Sequence, residues 1–164
     1  AQMALGDALA VALLDARGFE EGDFARSHPG GALGRKLLVH VRDLMRKGDL
    51  VPRVTPDTAF TEMLREMGGK GLGATAVSDD SGKPVGVFTD GDLRRLIEKG
   101  IDLRNIRAAE VMHADPRTIR ADRLAAEAAD LMEQFKINCM LVVDDNGVLV
   151  GAFNSNDLMR AKVI

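Results

Sequence analysis

Apolar positions recur every three or four residues in three stretches of the chain. Between Met3 and Arg17 this spacing predicts an amphipathic helix that ends at Gly18. Two later stretches show the same period, which predicts two more helices. Their apolar residues are Phe60, Met63, Leu64 and Met67 in one, and Leu124, Ala128, Leu131, Met132 and Phe135 in the other.

Each of the two later helices is followed by a pattern typical of a hairpin. A short apolar run, ATAVS or CMLVV, precedes DDSG or DDNG, and a second run, PVGVFT or VLVGAF, comes next. Two aspartates closely followed by glycine favour a tight turn between strands. Short strands are also predicted near Val54 and Ile119. A helix that contains Leu93 is predicted after the first hairpin, and a helix that contains Leu158 after the second.

The second half of the chain repeats the first. With an offset of 65 residues, identical types coincide at many positions. The pairs are Val77 with Val142, Asp79 with Asp144, Asp80 with Asp145, Gly82 with Gly147, Val85 with Val150, Gly86 with Gly151, Phe88 with Phe153, Asp92 with Asp157, Leu93 with Leu158 and Arg95 with Arg160. VRDLM (41–45) resembles AAEVM (108–112) at a slightly different offset. Such an internal duplication predicts a mixed α/β fold (α+β) built from β-α-β-β-α twice, joined by a linker over 100–107.

Composition narrows the function classes. The 164 residues are 46% apolar, which suffices for one ordinary domain or two small ones. The net charge is -3, Tyr and Trp are absent, and no basic stripe exists, so nucleic acid is not an expected partner. No apolar run approaches the about 20 residues of a membrane helix, and no signal peptide is legible. A single cysteine suits a reducing compartment, and we expect a cytoplasmic protein.

The motif GVFTDGDL (86–93) joins a predicted strand to a predicted helix. Thr89 stands at the N-cap position, and Asp92 can reach back to the backbone of Thr89, so the pair forms a capping box. The same hydroxyl and carboxylate, at a helix end that favours anions, can also bind ribose and phosphate. Local sequence leaves both interpretations open. In the second copy, Asn154 replaces the threonine and Asp157 keeps the carboxylate, so the halves are not equivalent.

The duplicated unit with G-x-F-T-D-G-D-L resembles a tandem of cystathionine-β-synthase (CBS) domains, a Bateman module, from about Val41 to Ile164. The resemblance implies two repeats packed sheet to sheet about a pseudo-two-fold axis, with two clefts that often hold nucleotides. It also implies that the Thr/Ser-x-x-Asp unit contacts ribose and phosphate. This marks Thr89 and Asp92, with Asn154 and Asp157 as the altered pair.

Several basic side chains are candidates for contact with a phosphate. They are Lys136, Arg117, Arg120 and His113, and for each a solvated surface side chain is the alternative. GGKGLG (68–73) lacks the spacing of a phosphate loop and follows a helix, so it favours helix termination. Cys139 is expected to be a small buried apolar residue. Three histidines without i,i+4 spacing and one cysteine make a metal site unexpected.

SHPGGALGRKLL (27–38) contains His28, which by itself is a polar residue in a turn. Together with ALGDALAVALLDARGF, this segment resembles the end of the sugar isomerase (SIS) domain of arabinose-5-phosphate isomerases over Ala4 to Leu38. The resemblance implies interconversion of D-ribulose 5-phosphate and D-arabinose 5-phosphate through an enediol, on the route to Kdo. It implies that His28 belongs to an active site, acting across a subunit boundary in the full-length oligomer. The catalytic body would precede Ala1, so we expect a fragment that is inactive alone.

The resemblances together predict an SIS remnant and linker over 1–40, a first CBS repeat over 41–100 and a second over 107–164. The favoured function is regulation, with CMP-Kdo bound between the repeats, or AMP or ATP as the generic alternative. No other cofactor is expected. An oligomerisation module without a small ligand is the competing hypothesis. Self-association as a dimer, and as a tetramer in the parent enzyme, is implied by the family.

Overall fold

The computed structural model describes residues 12–13, 15–18, 23 and 38–164. The helix predicted over 3–17 lies mostly outside these residues, as does His28. Residues 15 and 16 are helical, and the Gly18 N–H donates to the Asp15 carbonyl at 2.9 Å. Gly18 has a φ of 61°, in the left-handed region that commonly ends a helix.

The first repeat contains the predicted β-α-β-β-α order. Its elements are α1 (Val41–Leu44), a 3-10 turn (Gly48–Leu50), β1 (Arg53–Val54), α2 (Phe60–Lys70), β2 (Ala74–Ser78), β3 (Pro84–Thr89) and α3 (Asp90–Glu98). Helix α2 buries Phe60, Met63 and Met67, which confirms the face predicted from helical spacing. It ends at Gly71, whose φ of 59° is left-handed.

The second repeat has the same order. Its elements are α4 (Ala108–Val111), β4 (His113–Ala114), β5 (Thr118–Arg120), α5 (Ala125–Phe135), β6 (Cys139–Val143), β7 (Leu149–Asn154) and α6 (Ser155–Arg160). Helix α5 buries Ala128 and Met132 as expected. Phe135, predicted on the same face, is instead exposed at the last turn, where Arg117 stacks on its ring. None of the helices in the described part of the chain is long and apolar enough to cross a membrane.

Each repeat forms one small sheet whose hairpin turns at the predicted Asp-Asp-x-Gly. The strand orders are β1-β2-β3-β4 and β5-β6-β7, with β1 parallel to β2, β5 parallel to β6, and the hairpins antiparallel. Gly82 and Gly147 have φ values of 79° and 78°, which explains why the turns require glycine.

The segments that lead into each repeat are exchanged between the repeats. Strand β4 lies in the leading segment of the second repeat but pairs with β3 of the first, with His113 opposite Val87. Correspondingly, Arg46 of the first repeat pairs with Ala152 of β7. The helices follow the same exchange, because α1 packs in the core of the second repeat and α4 in the core of the first.

A third apolar cluster joins the repeats. It contains Val51, Leu72, Ala74 and Ala76 from the first repeat, and Leu141, Leu149 and Ala152 from the second. The two sheets therefore pack face to face, as the family resemblance implied. This packing brings the N-termini of α3 and α6 to the same region between the repeats.

Candidate functional site

A cleft of about 1010 Å³ lies between the repeats. Its walls include the N-termini of α3 and α6, the C-terminal ends of α2 and α5, and the segment from His113 to Arg117. Of the residues predicted from sequence, Thr89, Asp92, His113, Arg117, Lys136 and Asn154 line it. The volume is at the upper end of the range for small-molecule pockets.

Thr89 and Asp92 form the predicted capping box. The Thr89 N–H donates to Asp92 Oδ2 at 2.8 Å, and the Thr89 hydroxyl donates to the same oxygen at 2.6 Å. In return the Asp92 N–H donates to Thr89 Oγ1 at 3.3 Å. Both groups are fixed at the wall of the cleft by local sequence, because a capping box involves residues only three positions apart.

Asp92 also contacts two basic side chains. His113 Nε2 lies 2.6 Å from Asp92 Oδ1, and the Arg95 guanidinium pairs with the same carboxylate. Burial, which leaves only 4% of Asp92 exposed, opposes its ionisation. Hydrogen bonds from Thr89, Arg95 and His113 outweigh burial and hold the pKa of Asp92 below its ordinary value. The cleft therefore presents an anionic carboxylate with hydrogen-bond donors beside it at neutral pH.

The second copy of the motif is arranged differently. Asn154 and Asp157 also form a capping box, with the Asn154 N–H donating to Asp157 Oδ2 at 3.0 Å. The Asn154 amide, however, donates across the repeats to the Leu72 carbonyl at 3.1 Å. Asp157 is buried and pairs with Arg46, whose Nε lies 3.2 Å from Oδ2. Asp157 is not among the residues that line the cleft.

The structure separates the basic candidates. His113, Arg117 and Lys136 line the cleft, and the Arg117 guanidinium carbon lies 4.2 Å from the centre of the Phe135 ring. Arg120 does not line the cleft; it pairs with Asp122 and Asp145 on the surface. Arg120 is therefore not brought together with the other basic candidates, and its contact with a ligand stays a prediction.

Sequence reasoning missed two arginines. Arg95 stands three residues after Asp92, one helical turn along α3, and this spacing was a usable signal. The alignment of VRDLM with AAEVM also places Arg46 opposite His113, one residue further on. Local spacing gives no indication that Arg46 reaches Asp157, since 111 residues separate them.

Cys139 opens β6 and lines the cleft, where it is partly buried. Burial, with a smaller effect from the charges of Asp92 and Asp90, raises the pKa of the thiol to about 11. It is a neutral thiol at neutral pH, in keeping with the expected apolar character.

Helix α2 ends at Gly71, within the segment GGKGLG that was predicted to terminate it. Lys70 Nζ donates to the Val51 carbonyl at 3.2 Å and pairs with Glu66, so its ammonium group is engaged inside the first repeat. Within the described residues, no group of three or more metal-ligating side chains is assembled.

Comparison with known proteins identifies the class defined by this fold and cleft. The CBS domain family matches residues 41–99 and 108–164, and the chain belongs to that family as a tandem pair. Two solved structures illustrate the likeness of the fold. An uncharacterised conserved protein from Pyrococcus horikoshii is 28% identical, with a TM-score of 0.66 over 75% of this chain and 91% of that one. CBSX2 in complex with AMP is 26% identical, with a TM-score of 0.65 over 75% and 95%.

A more similar relative is the arabinose 5-phosphate isomerase KdsD of Pseudomonas aeruginosa. It is 53% identical over 162 residues, which are 99% of this chain and 50% of that protein. The chain thus spans about half the length of the curated relatives that it matches. The similarity extends through residues 1–40, which the CBS match does not include.

Proposed function

We propose that this chain is the nucleotide-sensing part of an arabinose-5-phosphate isomerase and that the nucleotide binds in the cleft between the repeats. One observation carries the proposal: the Thr89–Asp92 capping box forms a wall of the cleft with His113, Arg117 and Lys136 around it. A purely structural cap does not require an adjoining cleft lined by several basic side chains.

The cleft offers a separate environment for each part of a nucleotide. Asp92 and Thr89 supply an acceptor and a hydroxyl for the ribose, and the cationic side chains suit a phosphate. Apolar side chains such as Val87, Ile137 and Leu141 supply a surface for a base. The AMP complex of CBSX2, a protein of the same fold, supports this assignment.

The parent enzyme is proposed to interconvert D-ribulose 5-phosphate and D-arabinose 5-phosphate in the cytoplasm. Its similarity to KdsD proteins supports this reaction. His28 belongs to the active site of the full-length oligomer in this proposal. CMP-Kdo, the activated end product of the pathway, is the favoured ligand, with AMP or ATP as the alternative. The ligand would bias the catalytic part by a coupling free energy between the two sites.

Calorimetric titration of the chain with CMP-Kdo and with AMP tests the proposal. We expect heat of binding from at least one of them, and loss of that heat in the double variant Thr89→Ala/Asp92→Ala. Arg120→Ala is the control, because Arg120 does not line the cleft and pairs with Asp122 and Asp145 on the surface. No heat from either ligand contradicts nucleotide sensing.

An oligomerisation module is the second candidate, favoured by exposed apolar side chains on the last helix of each repeat. Ile97 in the first repeat and Met159 in the second are both exposed. Light scattering of the native chain and of Thr89→Ala/Asp92→Ala separates the two functions. Unchanged assembly together with lost nucleotide binding supports sensing, whereas an assembly that binds neither ligand supports the oligomerisation module.

A further inference from the structure

The two buried carboxylates of the repeats face different partners. Asp92 faces His113, and Asp157 faces Arg46. His113 and Arg46 are equivalent in the fold, since each pairs by its backbone with the hairpin of the other repeat. The difference between the two sites therefore lies in the side chains and can be compared position by position.

Methionines immediately before these residues confirm the equivalence. Met112 covers Gly86, and Met45 covers Gly151, so closely that a Cβ on either glycine would overlap the methionine. Gly86 and Gly151 are a matched pair of the duplication. The backbone around the two sites is thus the same in kind.

Arg46 crosses the region between the repeats on the side that bears Asp157. Its Nε and Nη2 lie 3.2 and 3.4 Å from the two carboxylate oxygens of Asp157, and its Nη1 donates to the Lys70 carbonyl at 2.8 Å. The Arg46 side chain is 19% exposed, whereas that of His113 is 66% exposed. The guanidinium therefore links the start of α6 to the end of α2 as a bound molecule would.

The Asn154 amide adds a second link across the same half. It donates to the Leu72 carbonyl at 3.1 Å, whereas the Thr89 hydroxyl turns back to Asp92. Leu72 and its counterpart in the duplication, Ile137, both line the cleft, and the contrast between the halves lies in the amide bond to the Leu72 carbonyl. The side that bears Asp157 is thus tied at two points.

The segment after Met45 is longer than its counterpart after Met112, and the extra residues fill space on the Asp157 side. The first repeat has two more residues between Met45 and Val54 than the second has between Met112 and Ile119. The longer segment forms the 3-10 turn and places Val51, 3% exposed, in the apolar cluster between the sheets. Its counterpart Pro116 is only partly buried and lines the cleft.

We infer that Arg46 is a built-in occupant of the second half-site, so that each chain binds one nucleotide, beside Asp92. Displacing Arg46 would take from the buried Asp157 carboxylate its two guanidinium contacts and would leave Asp157 with the Asn154 N–H and the exposed Arg160, a loss that an anionic nucleotide does not compensate. Removing the Arg46 side chain opens a second site of the same class beside Asp157. The inference rests on the proposed nucleotide binding and adds its stoichiometry.

Calorimetry with AMP on four forms of the chain tests the inference. We expect one AMP per native chain, and affinity weaker by about tenfold or more in Asp92→Asn, which loses hydrogen bonds to a charged group. Arg46→Ala should bind two AMP per chain. The double variant Arg46→Ala/Asp92→Asn should bind one AMP per chain with the unweakened affinity, at the site beside Asp157.

Two further variants give readouts that do not need Arg46→Ala to fold. Asp157→Asn should keep the native affinity, because the native chain does not use Asp157 for binding. Arg160→Ala removes an exposed arginine 3.8 Å from Asp157 and leaves Arg46 in place, so it should still bind one AMP. Circular dichroism and thermal unfolding establish that each variant is folded.

The outcomes separate this inference from the proposed function. Two AMP per native chain, one per folded Arg46→Ala chain, or a tenfold loss in Asp157→Asn each overturn the inference and leave nucleotide sensing intact. If the native chain binds no AMP but Arg46→Ala does, the built-in occupant is supported and native AMP sensing is contradicted. If no form binds AMP, both are contradicted for this nucleotide.

Discussion

Replacing Thr89 with alanine removes the side-chain half of the first capping box. The variant loses two hydrogen bonds, from the Asp92 N–H at 3.3 Å and to Asp92 Oδ2 at 2.6 Å. Asp92 keeps the Thr89 N–H, which donates to it at 2.8 Å, and its contacts with Arg95 and His113. The Asp92 carboxylate therefore loses one hydrogen bond and keeps its other partners.

The expected loss follows from these contacts. An N-cap replaced with alanine costs about 0.5–2 kcal/mol, and a hydrogen bond to an ionised group contributes about 1.5–3 kcal/mol. The two estimates describe overlapping contacts and do not add. Since Asp92 remains partnered, we expect Thr89→Ala to lower the free energy of unfolding by about 2 kcal/mol. In a chain of this size that lowers Tm by about 5 °C.

Urea and thermal unfolding measure the loss, with two control variants. Thr89→Ser keeps the hydroxyl, and Thr89→Asn introduces the cap that Asn154 provides in the second repeat. Both should stay within about 0.5 kcal/mol of the native chain. If Thr89→Ala is as stable as the native chain, or if Thr89→Ser loses as much as alanine does, the capping box does not stabilise this region as argued.

Three further predictions concern other residues of the fold and cleft. Burial opposes ionisation of Asp92, but its hydrogen bonds keep the folded-state pKa of the carboxyl group below 3.8. The ionised carboxylate therefore stabilises the folded chain above pH 3.8, and this stabilisation is lost as the pH falls through the folded-state pKa. Asp92→Asn should therefore cost more stability in urea unfolding at about pH 6 than at about pH 3, and an equal cost at both would contradict the assignment. Gly86→Ala would place a Cβ against Met112 and should lower the free energy of unfolding in urea by about 1–3 kcal/mol. The control Gly69→Ala lies in an open part of α2 and should raise that free energy by about 0.5–1 kcal/mol. Equal effects of the two substitutions would refute the overlap. Because burial raises the pKa of the Cys139 thiol from 9.0 to about 11, iodoacetamide should label it about 100-fold more slowly in the folded than in the urea-unfolded chain at neutral pH, and similar rates would contradict its burial.

The sequence by itself determined the repeated unit and its local chemistry. Helical spacing located α2 and α5, the Asp-Asp-x-Gly turns located the hairpins, and Thr89 and Asp92 were recognised as a capping box. Each of these features depends on residues within a few positions of one another, so its physical cause lies within the short stretch of sequence that forms it.

The tertiary structure alone decided which charges meet and which half of the region stays open. Arg46 reaches Asp157, and His113 reaches Asp92, because the leading segments are exchanged between the repeats when the sheets pack face to face. Arg120 carries the same charge as Arg117 but ends on the surface, paired with other aspartates. Local periodicity carries no information about such contacts, since they arise only when apolar faces far apart in sequence are buried against each other.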